Sequence, residues 1–366
     1  DTNSYEKILK QLLETFSTLF LKKQILFKYQ KQMTKGRLKI HKRLYVIFYF
    51  LIIVTSIIVA EDVFLEISNF DIGKRAFHID LGRNYAIVAD YDGKVSFIDV
   101  FTLEKTEFTD SVIPMGGVYD GEFFYVIDNY KREVLKIKGN TIVRKLLLEA
   151  KPVNIKLINN DLYVVTTDPY KFYLIDRNMF IKKSVELPVH SPLIRNVGTQ
   201  VFIPLFENYK NNVRLTELLF MIPNQNSYII NYNNITYPID LVGYQGIIYF
   251  VTYFEGNLYK NEFKNQPKVA QFGKYTTEIE LYRNYIVGSS LMGGVYYYDL
   301  TSNQTTVVLD EIPISDIAVS PDNEYLYAVS HIENKLYVIK DKEVYQELDT
   351  KKYPIDVEAP DNNIVL

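Results

Sequence analysis

Between Ile314 and Leu348 the chain alternates four short apolar runs with turn-forming residues, and this pattern restricts the fold more than any other feature. Asp316–Val319 is the first run. Ser320-Pro321-Asp322-Asn323 then predicts a tight turn, because Pro fixes φ while Asp and Asn tolerate the left-handed region and bond their own backbone. Tyr325–Val329 alternates aromatic and aliphatic residues as a strand packed on both faces does. Turns at His331–Asn334 and Asp341-Lys342 separate two further strands, Leu336–Ile339 and Val344–Leu348. Four strands in about 40 residues, repeated, is the pattern of a β-propeller blade. One such sheet buries its two faces only by stacking on neighbours.

The rhythm recurs from residue 75 onward. The first unit is expected at Phe77–Leu81, Tyr85–Ala89, Val95–Val100 and Lys105–Phe108, with a Tyr-Asp-Gly turn at 91–93. The second runs from Gly117 through Phe123–Ile127, Val134–Ile137 and Thr141–Leu148. The third is Val153–Leu157, Leu162–Thr166, Phe172–Ile175 and Ile181–Leu187. A fourth, irregular unit begins near Leu193, with a polar insertion at Glu207–Asn212 and a long third strand around Val213–Ile222. Pro238, Glu278 and Ile314 open or enter the first strands of the next three. Residues 354–366 restart the unit and stop after its second strand. Val63–Ser68 reads as a lone strand, so both chain ends together could form an eighth, three-stranded blade that removes the free edges of the ring. The alternative is seven blades and a tail; we favour eight.

The stretch SPDNEYLYAV, Ser320–Val329, resembles the YVTN-type propeller repeat of surface-layer-associated prokaryotic proteins, with Asn323 in place of that family's Gly. The resemblance implies a propeller fold and an extracytoplasmic location. It implies no single activity.

The N-terminal part has a different character. Residues 1–32 read as an amphipathic helix, with Ile8, Leu9, Leu12, Leu13 and Phe16 on one face. Either it meets a membrane surface or a partner, or it is not native sequence and the native chain opens at Met33. Residues 1–43 carry a basic segment, including Lys35, Arg37, Lys39, Lys42 and Arg43, ahead of a 17-residue apolar run at Leu44–Ala60. Such a run inserts into a membrane as a signal-peptide core or a signal anchor. No acid lies between Glu14 and Glu61, which places the basic side in the cytoplasm and the domain 61–366 outside.

Composition excludes some chemistry. The chain has no cysteine, so disulfides, thiolate zinc sites and a Cys nucleophile are ruled out. A net charge of −3 predicts no general attraction to nucleic acid. The four histidines, at 41, 78, 190 and 331, form no pair at ligand spacing. No phosphate-binding glycine loop or nucleophile elbow occurs. Asn234 and Asn303 open glycosylation sequons.

Aligning the first strand of each unit brings His78, Gly117, Asn154, Arg195 (approximately), Asp240, Glu278, Asp316 and Asp356 to one position. First strands of a propeller line its channel, so Asp240, Glu278, Asp316 and Asp356 are expected to converge at the channel mouth, with Arg195 and His78 on the flanks. Carboxylates, an amide and an imidazole are an oxygen-rich set that suits Ca²⁺ or Mg²⁺. The bland alternative is a solvated or self-neutralised network. The leading functional reading is a binding or scaffolding module at the cell envelope, meeting a protein or polysaccharide. A metal-dependent lactonase- or lyase-like enzyme and a membrane-anchored ligand sensor are the alternatives, the enzyme by likeness of fold alone.

Overall fold

The computed structural model describes residues 76–366, except for 83, 112, 192, 198–199, 211–212, 222–226, 234–236, 262–266, 351–353, 361 and 363–364; for 206–236 it describes backbone only. The expected N-terminal helices and the strand at Val63–Ser68 lie outside the described residues. Among the described residues, no helix is long and apolar enough to cross a membrane.

Among the described residues, twenty-eight strands form seven sheets of four, each antiparallel and in simple chain order. The first contains β1 (Ala76–Gly82), β2 (Tyr85–Asp90), β3 (Val95–Asp99) and β4 (Lys105–Phe108). The second contains β5 (Pro114–Tyr119), β6 (Phe124–Asp128), β7 (Glu133–Lys138) and β8 (Thr141–Leu147). In the third are β9 (Lys151–Ile158), β10 (Asp161–Thr167), β11 (Lys171–Asp176) and β12 (Ile181–Glu186). The fourth holds β13 (Arg195–Val197), β14 (Gln200–Lys210), β15 (Val213–Met221) and β16 (Ser227–Asn233). Next come β17 (Pro238–Tyr244), β18 (Ile247–Thr252), β19 (Asn257–Lys260) and β20 (Lys268–Gln271). The sixth sheet is β21 (Thr276–Tyr282), β22 (Tyr285–Ser290), β23 (Val295–Asp299) and β24 (Thr305–Val308). The seventh is β25 (Asp316–Val319), β26 (Leu326–Ser330), β27 (Lys335–Lys340) and β28 (Glu343–Asp349).

The cores lie between sheets. Second strands are buried on both faces, completely so in β6 and β26, which is why their sequences show no polar alternation. Tyr125 and Ile127 of one sheet pack with Leu162 and Val164 of the next, and Val287 and Tyr297 pack with Leu326 and Ala328. Between the first two sheets Phe97 stacks on Phe124 with centroids 3.9 Å apart. Outer strands such as β8 and β28 are mostly exposed or half-buried, and there the sequence turns polar.

The turn at Ser320–Asn323 forms as its residues dictate. Asn323 takes φ = 58°, and the Ser320 hydroxyl accepts the backbone N–H groups of Tyr325 (2.9 Å) and Glu324 (3.1 Å). The fourth sheet departs from expectation. Glu207–Lys210 is not a polar insertion but the end of β14, which pairs with β15 as far as Lys210↔Val213. A register shift between Leu205 and Asn208 lets this hairpin run on past the sheet's edge.

Residues 354–366 take an eighth position, between the seventh sheet and the first. Val357 donates its N–H to Asp316 Oδ2 (3.0 Å), and Asp356 Oδ2 accepts the N–H of Ile79 (2.9 Å). Glu358 and Leu366 exchange backbone hydrogen bonds of 3.1 and 2.9 Å, but the described residues of this segment form no strand, so the two strands expected here are not seen. Leu366 packs against Ala86, Val88 and Ile98 of the first sheet, and Asn362 Oδ1 accepts the N–H of Asp322 in the seventh (2.8 Å). The ring is closed by this segment.

Candidate binding site at the channel mouth

Innermost strands β1, β5, β9, β13, β17, β21 and β25, with residues 354–359, surround a central channel that opens into a cavity of about 480 Å³. A shared irregularity fixes what points into it. Near the start of β1, β5, β9 and β17 the register skips one residue, as between Pro114↔Asp128 and Gly116↔Ile127 or Pro238↔Thr252 and Asp240↔Val251, and in β21 it skips Thr277 and Glu278. In those four strands the residue after the skip faces the channel, and period-two alternation brings the residue two further on to the same side. Two tiers result. The outer one holds His78, Gly116, Asn154, Asp240, Glu278, Asp316 and Asp356. Asp80, Lys156, Glu280 and Glu358 belong to the inner one, and Arg195 bridges both.

Outer-tier carboxylates also tie neighbouring first strands together. Asp240 Oδ2 accepts Ile279 N–H (3.0 Å), as Asp316 accepts Val357 and Asp356 accepts Ile79. In the first sheet the outer-tier residue is His78, so Asp80 takes over and accepts Gly117 N–H (2.9 Å). Gly116 makes this reach possible. At φ = 147° it suits glycine, and a Cβ there would lie 2.7 Å from Asp80 Oδ2.

The cations are distributed against the acids. Arg195 holds Asp240 with two bonds (Nε–Oδ1 2.7 Å, Nη2–Oδ2 2.8 Å), reaches Glu278 at 2.6 Å and stands 3.8 Å from Glu280. His78 lies between Asp356 (3.0 Å) and Asp80 (3.3 Å). Lys156 crosses the gap left by Gly116 to Asp80 (3.1 Å). Burial works against the His78 imidazolium, but Asp80 and Asp356 outweigh it and raise its pKa to about 10. Burial likewise opposes ionisation of Asp80, yet Lys156 and His78 hold its carboxyl far below the usual range. Asp80 in turn raises Lys156.

Opposite them, burial and then the adjoining Glu278 and Asp356 carboxylates push Asp316 well above the carboxylate range, and it shares hydrogen bonds with both. Glu280 is raised to about 8 by burial and Glu278, and Glu358 to about 8 by burial and Asp356. Burial also raises Asp240 against the pull of Arg195.

No protein-family model matches the chain, and no curated protein matches it in sequence. Solved structures do match in shape. BamB from Moraxella catarrhalis aligns with a TM-score of 0.60 at 9% identity, over 81% of this chain and 92% of that one. The C-terminal WD40 domain of Sif2 aligns with a TM-score of 0.62 at 12% identity, over 81% and 92%. Apo AztD from Citrobacter koseri gives 0.54 at 12%, over 77% and 84%. The fold is a β-propeller. At these identities the likeness carries the fold and nothing of activity, and membership of the YVTN family is left without support from a family model.

Within the propeller, the expected set converges: His78, Asn154, Arg195, Asp240, Glu278, Asp316 and Asp356 all line one cavity. One alignment step is corrected. In the second blade the facing residue is Gly116, not Gly117, because the register skip falls before it. Asp80, Lys156, Glu280 and Glu358 were missed, although each follows an aligned residue by two. Asn303 sits exposed in a turn, its Oδ1 accepting the Tyr298 hydroxyl (2.6 Å); the side chain of Asn234 is outside the described residues.

The donor set does not fit Ca²⁺ or Mg²⁺ as it stands. Both oxygens of Asp240 are taken by Arg195 and by the Leu241 and Ile279 N–H groups, and Asp356 Oδ2 is held by His78 and Ile79. Among the described residues no three His, Asp or Glu side chains are arranged to hold one metal ion. Guanidinium and imidazolium fill the places a divalent ion would take.

Proposed function

We propose that this chain is a binding or scaffolding module whose propeller works outside the cytoplasm, held at or exported through the membrane by Leu44–Ala60, and that its partner at the envelope is a protein. The observation that supports a binding role most is the internal commitment of the channel carboxylates. Arg195 and His78 occupy the arc of Asp240, Glu278 and Asp356, so it serves as a rigid, charged floor for a ligand. Fold likeness to BamB and to a WD40 domain is compatible with this reading. The extracytoplasmic placement rests on the basic flank and apolar run of residues 33–60.

The test has two arms. Protease added to spheroplasts should digest the propeller, and mild crosslinking of the envelope fraction should shift the 42.8 kDa chain into a larger protein species. A chain protected in spheroplasts refutes the location. A chain that stays monomeric after crosslinking refutes the scaffold.

A further inference from the structure

The two ends of the propeller differ in their exposed side chains. Antiparallel order places the turn between second and third strands at the same end as the start of the first strand, an end the cavity lining reaches through Leu193, Thr277 and Ile355. At that end every blade with a described turn carries one large exposed apolar residue there: Tyr91, Tyr130, Tyr170, Phe254, Met292 and Ile332. Their exposure runs from 39% to 68%. Tyr275 and Ile355, in the linkers that lead into first strands, extend the same surface. Phe254 and Tyr275 belong to an aromatic cluster with Tyr253, with centroids 5.1 and 5.4 Å from it. At the opposite end the large exposed apolar residues among the described ones are Phe101 and the adjacent Phe180 and Ile181, confined to two blades. Isolated exposed apolar residues need no explanation, but a set repeated blade after blade around one opening does.

The opening itself is acidic. Seven carboxyl groups (Asp80, Asp240, Glu278, Glu280, Asp316, Asp356 and Glu358) face three cations, His78, Lys156 and Arg195. The turns and linkers around it carry both signs, Asp110, Glu149, Asp168, Asp310 and Glu311 alongside Lys131, Arg132 and Lys274, so the acidity belongs to the channel and not to its rim. Asn154 lines the cavity too, and its buried Oδ1 has no hydrogen-bond partner among the described residues. At about 480 Å³ the cavity is within the ~300–1,000 Å³ of small-ligand pockets, ample for one long side chain.

Building on the protein-binding reading, we propose that this end of the propeller receives a protein segment with a lysine or arginine set between apolar side chains. The basic side chain enters the channel mouth, donating to Asn154 and to the inner-tier carboxyls Glu280 and Glu358. The flanking apolar side chains pack on the ring of Tyr130, Met292, Ile332 and their equivalents. Charge selects the partner: with Asp316, Glu280 and Glu358 raised, the other four carboxylates still outnumber the three cations, and a bound basic side chain would favour ionisation of Glu280 and Glu358. Buried apolar contact supplies the residence time.

A phage-displayed library of random twelve-residue peptides, selected against the full chain in detergent, tests this. The enriched peptides should carry Arg or Lys flanked by Leu, Phe or Tyr. In fluorescence anisotropy, replacing that Arg by citrulline should weaken the best peptide at least about tenfold. Met292→Ser with Ile332→Ser should weaken it at least about fivefold, while Phe101→Ser with Phe180→Ser leaves it unchanged. Both double variants alter exposed positions, and unchanged thermal melts will show that they fold. Peptides without a basic residue, or binding lost through the Phe101/Phe180 pair, would overturn this inference and leave the binding-module reading standing. A peptide that binds only after residues 1–60 are removed would assign the surface to the chain's own N-terminal segment and overturn it as well. No enrichment, with the envelope complex intact, refutes the basic-segment partner; no enrichment and no complex refutes both.

Discussion

The two halves of the channel solve opposite electrostatic problems. Blades 5 to 7 and the closing segment supply Asp240, Glu278, Glu280, Asp316, Asp356 and Glu358, and they manage the crowding by retaining protons on Asp316, Glu280 and Glu358. Blades 1 to 4 contain His78, Asn154, Lys156 and Arg195, and a single carboxylate, Asp80, that is clamped between two cations. One half is held together by shared protons and the other by ion pairs. Arg195 and His78 join the halves at their two seams, which makes those residues more consequential than their number suggests.

The largest effect should come from the Arg195 seam. Arg195→Met leaves Asp240 buried beside Glu278 with no counter-charge, and we expect a loss of about 3–5 kcal/mol. Adding Asp240→Asn should restore part of the Tm, and an Arg195→Met chain as stable as wild type in denaturant unfolding would erase the contrast between halves.

A second test compares two lysines of one strand. Lys156 pairs with Asp80, whose side chain is 4% exposed, while Lys151 pairs with Asp168, which is 71% exposed. Lys156→Met should cost about 1–3 kcal/mol, and Lys151→Met less than about 0.5 kcal/mol. Equal losses in urea titrations would mean that burial does not govern these pairs.

Gly116→Ala should cost about 1–3 kcal/mol, since it forces an L side chain to φ = 147° against Asp80. Gly139→Ala, at φ = 59° with open space around it, should cost about 1 kcal/mol. The difference between the two melts isolates the close approach from the backbone strain.

The smallest effect is a pH dependence. Glu280 and Glu358 ionise near 8 in the folded protein instead of near 4.5, so the unfolded chain gives up these protons first. Their burial therefore erodes stability as pH rises from about 4.5 to 8. His78 acts in the same direction at higher pH: its contribution is complete below 6.5 and disappears as pH passes about 10. Asp80 and Asp356, both held low, contribute above their ordinary range near 3.8 and lose that contribution in acid. Tm should thus peak on the acid side of neutral. Glu280→Gln with Glu358→Gln should raise Tm at pH 8 by roughly 2–4 °C and leave it unchanged at pH 5. A rise of equal size at both pH values would show that the gain is packing, not charge.

Much of this architecture could be read from the residues, and the reason is mechanical. Strands packed on both faces leave unbroken apolar runs such as Phe124–Ile127 and Tyr325–Val329, while the turns between them demand Gly, Asn or Asp. The outer tier of the channel was legible because its residues recur in similar contexts, PVNI, PIDL and TEI. The inner tier was legible by the same rule and was overlooked: in Asn154-Ile-Lys156 and Glu278-Ile-Glu280 the second polar residue shares a side with the first. Gly116 and Gly117 could not be told apart, since two adjacent glycines give the alternation nothing to fix on. The β14–β15 hairpin hid because its tip, from Tyr209↔Arg214 to Lys210↔Val213, extends past the last paired residues of β13 and β16, so its polar residues read as an insertion.

Closure of the ring also sets a clock. Asp356, which caps the N–H of Ile79 and grips His78, lies 278 positions after its partner. At ~5–20 residues per second, a ribosome reaches it roughly 14–56 s after His78. Throughout that interval β1 has an uncovered flank and an imidazole missing one of its two carboxylates. The first blade to be made is thus among the last to be secured, and any factor that shields a nascent propeller of this kind has its longest task at the beginning of the domain.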